Sequence, residues 1–162
     1  MFKFQWTPEI VGYSLAVVGL LIAFVQGFLI RKVIPKLGEN KTIYFGMAFY
    51  ILGLILFGLS PKGWMMFLFL IPYCLGGIAG PALQGIISKQ VPDNEQGELQ
   101  GALTSLMSLT AIIGPLVMNN LFAYATSKNS LIYLPGASFY LGAVLMIIAV
   151  FLTHKTLSHK KN

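Results

Sequence analysis

Ile10–Ile30 reads IVGYSLAVVGLLIAFVQGFLI, without one charged side chain. A helix crossing the hydrocarbon of a bilayer needs about 20 apolar residues. A helix on the surface of a soluble core keeps a polar face, and this stretch keeps none. Four more windows repeat it: Thr42–Ser60, Trp64–Ser88, Leu99–Ser127 and Asn129–Thr153 contain no Asp, Glu, Lys or Arg. Every charge lies between these windows or at an end. The expected fold class is therefore an all-α integral membrane protein with five transmembrane helices. An odd number of crossings puts the two ends on opposite sides.

Composition agrees. Of the 162 residues, 56% are hydrophobic and 10% charged, with a mean hydropathy of +0.76. Soluble domains carry about 25% charged residues. Transmembrane barrels show alternating segments of about 10 residues, and none occur here. The net charge of +6 is unevenly placed. Arg31, Lys32, Lys36, Lys41, Lys89, Lys155, Lys160 and Lys161 fall on one side of the expected membrane, and Lys3, Lys62 and Lys128 on the other. Basic residues favour the cytoplasmic side, so the N-terminus is expected outside and the C-terminus inside. Single-stranded nucleic acid needs aromatic side chains within a basic groove; that pattern is missing, and no nucleic-acid partner is expected. Membrane lipid is the expected surrounding.

The expected helices run over 8–30, 42–60, 64–89, 94–126 and 131–154, in one partial transmembrane domain over 1–162 with a basic cytoplasmic tail at 155–162. Thr7, Pro8 and Glu9 form a helix start. A loop is expected over Arg31–Lys41, which holds Pro35 and Gly38. Ser60-Pro61-Lys62-Gly63 is a tight turn. Pro72 and Pro81 each remove a backbone donor and should bend or interrupt the third span. Asp93 and Gln96 have the spacing of a capping box. Gly114-Pro115 should kink the fourth span. Cys74, the single cysteine, excludes an intrachain disulfide and reads as a packing residue. Met1-Phe2-Lys3-Phe4 lacks a signal-peptide cleavage site. His154 and His159 read as tail residues rather than a metal pair, so no metal site is expected.

Polar groups inside a bilayer need partners or water, which makes them pointers to function. The first span carries Gly12, Ala16, Gly19, Ala23 and Gln26 at spacings of three or four, one face of a helix. Small residues let another helix come close. Gln26 then either staples that contact or faces a substrate cavity. The fourth span carries Gln100, Thr104, Ser108, Ala111, Pro115 and Asn119 on one stripe, with Asn120 beside it; this stripe either lines a cavity or bonds another helix. Gly76–Pro81 adds a Gly-x-x-x-Gly spacing, followed by Gln84 and Gly85. The second and fifth spans are apolar nearly all round and read as outer helices. No span contains an acid, a base or a His. A serine or threonine nucleophile would have no activating partner, and no phosphate-cradling loop or metal cluster occurs. An enzyme is not expected.

Three motifs carry a family resemblance. Gly80-Pro81-Ala82-Leu83-Gln84-Gly85, Glu95-Gln96-Gly97-Glu98-Leu99-Gln100-Gly101-Ala102-Leu103 and Ile113-Gly114-Pro115-Leu116 resemble the second half of the tetracycline-resistance efflux proteins. These form part of the drug:proton antiporter branch of the major facilitator superfamily. Trp6–Ser14 resembles the start of that family's eighth helix, and Leu37-Gly38 with Lys41-Thr42 its cytoplasmic loop between helices eight and nine. The resemblance implies twelve helices in two halves, of which the present spans are eight to twelve. It implies a fragment that lacks the N-terminal half and helix seven and is inactive alone. Helices eight and eleven would face the other half.

The resemblance further implies a bacterial inner-membrane protein that exports an amphipathic drug, tetracycline-like or other, by alternating access. A proton gradient supplies the energy, no cofactor is bound, and a divalent cation travelling with the drug is left open. Gln26, Gln84, Gln100, Thr104, Ser108 and Asn119 would bond the drug, with Tyr13 and Tyr73 as aromatic walls. Gly80, Pro81, Gly114 and Pro115 would allow bending, and Arg31 and Lys32 would fix the cytoplasmic loop. The well-known pumps carry a His near Ile22 and an Asp near Ile51; both positions are apolar here, so coupling acids would lie in the missing half. Two other functions fit the spans: a facilitator of another small solute, and a non-transporting membrane interaction protein. Alone, the fourth span would turn its stripe to lipid or to a second copy, which makes self-association an expectation.

Overall fold

The computed structural model describes residues 6–127 and 133–159. The expected start of the last span at 131, together with Lys3, Lys128, Lys160 and Lys161, lies outside the described residues. Among the described residues six α-helices follow one another: α1 Pro8–Phe24, α2 Ile30–Leu59, α3 Gly63–Gly76, α4 Ala79–Ser88, α5 Gln96–Ala125 and α6 Ala137–His159. A π-helical turn, Val25–Leu29, joins α1 to α2, and a 3-10 turn, Asp93–Glu95, precedes α5. Four helical stretches among the described residues are long and apolar enough to cross a membrane: Pro8–Leu59, Gly63–Ser88, Asp93–Ala125 and Ala137–Ser158.

The first stretch departs from expectation. Arg31–Leu37 is helical rather than loop: Arg, Lys and Leu are good helix formers, and the helix continues through Pro35 although a proline there removes one backbone bond and crowds the carbonyl four residues earlier. The chain breaks at Gly38 alone, with φ 76° and ψ 161°, a region open essentially only to glycine. Thr42 Oγ1 donates to the Gly38 carbonyl at 2.7 Å and secures the restart of the helix.

Proline chemistry shapes the middle of the fold. A proline ring excludes the carbonyl four residues earlier; for Pro81 that residue is Gly77. The helix accordingly stops at Gly76 and resumes at Ala79, which leaves Pro81 in the first turn of α4, where its missing N–H costs nothing. Gly114-Pro115 behaves otherwise: α5 runs through it without interruption. The last helix begins at Ala137, after Pro135-Gly136, and continues to His159. The stretch 155–159, expected as tail, is its final turn.

α2 is the centre of the packing and touches α3, α4 and α6. Its buried face carries Thr42, Ile43, Gly46, Met47, Gly53 and Phe57. Ile43 and Met47 meet Ala79 and Ala82 of α4, with Met146, Ala149 and Val150 of α6 against the same cluster. Two glycines set the approach. A Cβ on Gly46 would lie 2.8 Å from both the Cβ and the backbone nitrogen of Ala79, and one on Gly53 2.8 Å from Tyr73 Cα. Among the described residues, the second span, expected as an outer helix, is packed on three neighbours, α3, α4 and α6. α1 leans on α3, where the rings of Trp6 and Phe67 meet at a tilt of 38°, centroids 5.5 Å apart. α5 rests mainly on α6, held partly by Ser138 Oγ donating to the Met118 carbonyl at 2.9 Å.

Candidate functional site

The polar stripe of α5 lies open along the length of the helix. Ala125, its last residue, is the only buried one. Gln100, Thr104, Ser108, Ala111, Pro115 and Asn119 are all exposed, and no atom of the described residues comes within 4 Å of a Cβ built on Gly97, Gly101 or Gly114. Ser108 Oγ donates to the Thr104 carbonyl at 2.9 Å, and Asn120 Nδ2 to the Leu116 carbonyl at 2.7 Å. Pro115 has no N–H to give the carbonyl of Ala111. Ala111 sits on the same stripe, so the seam gains a backbone acceptor beside its amides and hydroxyls.

Gln84 joins the seam from α4. Its Nε2 donates to Gln100 Oε1 at 3.0 Å, bringing together two of the residues singled out from sequence. Each amide carries one acceptor and two donors, so this bond leaves the pair further hydrogen-bonding capacity. Below it, Gln96 ties the connection between α4 and α5. Ser88 Oγ donates to Gln96 Oε1 at 2.7 Å, and Gln96 Nε2 donates to the carbonyls of Ser88 and Val91 at 2.8 and 2.9 Å. The expected capping box is therefore not formed: α5 starts at Gln96 itself, without a side-chain cap. The three-residue 3-10 turn moves the helix start beyond Asp93.

Gln26 stands on the π-turn, exposed. That turn is closed by the Ile30 N–H donating to the Val25 carbonyl, a five-residue reach that widens the helix and recurs at functional positions. The small-residue face leading to Gln26 is unfilled: nothing among the described residues lies within 4 Å of a Cβ on Gly12, Gly19 or Gly27. Tyr13 is 69% exposed. Tyr73 is separate from both seams. It packs edge-on against Tyr50, centroids 5.2 Å apart, and lies 5.4 Å from Phe57, inside the α2–α3 contact.

At the basic end, Arg31 and Lys32 are exposed, and Lys32 Nζ sits 4.4 Å above the Phe28 ring. The contact that bridges this region to the next loop is one the sequence did not single out: Lys89 Nζ meets Glu39 Oε1 at 2.7 Å. The only sequence signal for it was opposite charge in two loops on the same side, fifty residues apart.

The Major Facilitator Superfamily profile matches residues 1–162. The chain is 42% identical to the tetracycline resistance protein, class C, of Escherichia coli over 140 residues, 86% of this chain and 35% of that protein. It is 40% identical to the class H protein of Pasteurella multocida over 156 residues, 96% of this chain and 38% of that one. It is 33% identical to the class B protein of Escherichia coli over 160 residues, 98% and 40%. No solved structure matches. The chain thus spans 35–40% of the length of these relatives. Long apolar helices, open neutral seams and a profile match over the whole length lead to one assignment: the chain belongs to the Major Facilitator Superfamily and is a multi-pass membrane protein of a transporter family, not an enzyme.

Proposed function

We propose that this chain forms the C-terminal part of a drug efflux antiporter, and that the α5 seam is one wall of its central cavity. One observation carries the reading: in a chain this apolar, a 30-residue helix presents Gln100, Thr104, Ser108 and Asn119 on one open face. Ser108 and Gln100 each have one partner within the chain, but the remaining amide capacity of this face is costly in lipid unless satisfied. A water-filled cavity between two helical halves satisfies it and leaves it available to a ligand. The lining is neutral, donor- and acceptor-rich, and suits an amphipathic molecule with several oxygens. It holds no group that exchanges a proton near neutral pH, so energy coupling is assigned to acids of the other half.

The same reading sets the topology. Pro8–Leu59 spans 52 residues, about 78 Å at 1.5 Å per residue. One crossing uses about 30 Å, so this stretch makes two crossings about Gly38, and the chain makes five. The N-terminus then lies outside and the basic end inside a bacterial inner membrane. Alternating access follows from rocking of this wall against its counterpart.

Co-expression tests the proposal. The chain alone confers no tetracycline export into everted vesicles. Paired with the remaining N-terminal portion of a class C-type relative, it restores export, and Gln100→Ala with Asn119→Ala lowers it by at least tenfold. Export by the chain alone, or a restored pump indifferent to both substitutions, would refute the assignment.

A further inference from the structure

Away from the seam, the break at Gly38 and the last turns of α6 enclose a cleft of about 610 Å³, lined by Leu37, Gly38, Glu39, Asn40, Lys41, Tyr44, His154, Leu157 and Ser158. Its contents are amphipathic in a definite order. Leu37 and Leu157 supply an apolar wall, and Asn40, Lys41, Tyr44, His154 and Ser158 supply polar groups. Glu39, the one carboxylate in the lining, is already engaged by Lys89 at 2.7 Å, so its charge is neutralised from outside. Tyr44 Oη lies 3.4 Å from His154 Nδ1, which holds the ring and leaves Nε2 for a ligand oxygen. Lys36 and Lys155 stand beside the lining residues in sequence, and both are exposed. Lys41, Asn40 and Glu39 also form the first turn after the break, where backbone N–H groups lack intrahelical partners.

We infer that this cleft holds a phosphate-bearing anion, presented by the headgroup of an anionic phospholipid. Cationic donors between helix ends at a membrane surface recognise such headgroups. The two leucines would meet the glycerol and first methylenes of the lipid, which a free phosphate lacks. None of its lining residues belongs to the α5 seam, so the site is distinct from the drug cavity; it rests on the membrane reading alone. Its occupant would pin the end of α6 to the Gly38 break and so stiffen the basic side of the bundle.

Native mass spectrometry of the full chain, released from micelles holding equal phosphatidylglycerol and phosphatidylcholine, tests the inference. Phosphatidylglycerol is retained in preference. Lys41→Gln lowers that preference about fivefold, the weight of one basic residue near an anionic surface, and Lys41→Gln with His154→Gln lowers it further. Lys62→Gln, at the opposite side, leaves it unchanged. Helical circular dichroism confirms that each variant is folded. Displacement of the lipid by millimolar inorganic phosphate would assign the cleft to the free ion instead. Retention of both lipids without preference, or a preference that survives both cleft substitutions, overturns the site while the membrane reading stands. A chain that stays dispersed without detergent and keeps neither lipid overturns both.

Discussion

Substituting Gly46 by Ala adds one methyl group where α2 meets α4. The new carbon would sit 2.8 Å from Ala79 Cβ, 2.8 Å from Ala79 N and 3.0 Å from the Gly76 carbonyl oxygen. Two of these three atoms are backbone, so no rotamer change relieves the clash; the helices must part by roughly 1 Å to reach van der Waals distance. Overpacking of this kind costs about 1–3 kcal/mol. Ala in place of Gly within a helix returns up to about 1 kcal/mol, leaving a net loss centred on about 1 kcal/mol. Gly53→Ala, against the Tyr73 backbone, should behave alike. Gly12 and Gly19 offer the contrast, since nothing among the described residues lies within 4 Å of their added carbons. Gly12→Ala and Gly19→Ala should be neutral or stabilising by up to about 1 kcal/mol. Unfolding of the purified chain by sodium dodecyl sulfate in mixed micelles, followed by the fluorescence of Trp6 and Trp64, measures all four. If Gly46→Ala is as stable as the parent, or if Gly12→Ala falls with it, the helix contacts described here are wrong. On the proposed reading the order inverts in the assembled transporter: Gly12→Leu and Gly19→Leu should leave this chain stable but impair export, because the added bulk would meet the other half.

Gln96→Ala should cost about 1–3 kcal/mol, since it strips Ser88 and Val91 of their shared partner, and proteolysis at 89–95 should quicken accordingly. A double-mutant cycle on Gln84 and Gln100 should give a coupling of about 0.6 kcal/mol, typical of bonds between helices in a bilayer; zero coupling in the unfolding assay would place the amides apart. Gly38→Ala should destabilise by about 1–3 kcal/mol, because its backbone conformation is closed to residues with a Cβ; an unchanged midpoint would count against the break. Glu39→Gln and Lys89→Gln should each shift stability by under about 1 kcal/mol, and less in high salt, since Lys89 is 70% exposed and such pairs are weak.

Much of the fold was legible in hydropathy and charge, because a bilayer penalises any charged residue within a span. The windows ending at Ser60 and beginning at Trp64 sit within two residues of the observed turn between Leu59 and Gly63. What misled was local chemistry with two outcomes. Arg31–Lys41 has the composition of a cytoplasmic loop, yet charged residues also continue a helix, and only Gly38 forces a stop. Asp93 and Gln96 have capping-box spacing, but Gln96 spends its amide on Ser88 and Val91, contacts eight and five residues away that no short motif encodes. Pro81 and Pro115 both follow glycine. Upstream of the first, the helix ends at Gly76; the second is accommodated. The difference lies in surroundings, since Gly76 and Ala79 press against α2 while Gly114 meets nothing within 4 Å.

The same limit explains why the seams were visible but their use was not. Gly12 and Gly19 are seven residues apart, and so are Gly46 and Gly53. Either pair marks one helical face fit for close approach, and the pattern does not distinguish them. In three dimensions the second pair is filled by α3 and α4 and the first is empty. A small-residue face costs packing when nothing enters it, since each missing methyl forgoes dispersion contacts. The open face of α1 ends at Gln26 and the open face of α5 at Asn119, each with a polar group that lipid alone leaves unsatisfied. On the proposed reading both costs are recovered together when another bundle docks: its side chains occupy the glycine face, and the water and drug between the halves satisfy the amides. Stability of the chain and activity of the transporter therefore depend on different glycines. Substitutions at 46 and 53 should act on the first in any setting, and substitutions at 12 and 19 on the second only once the counterpart is present.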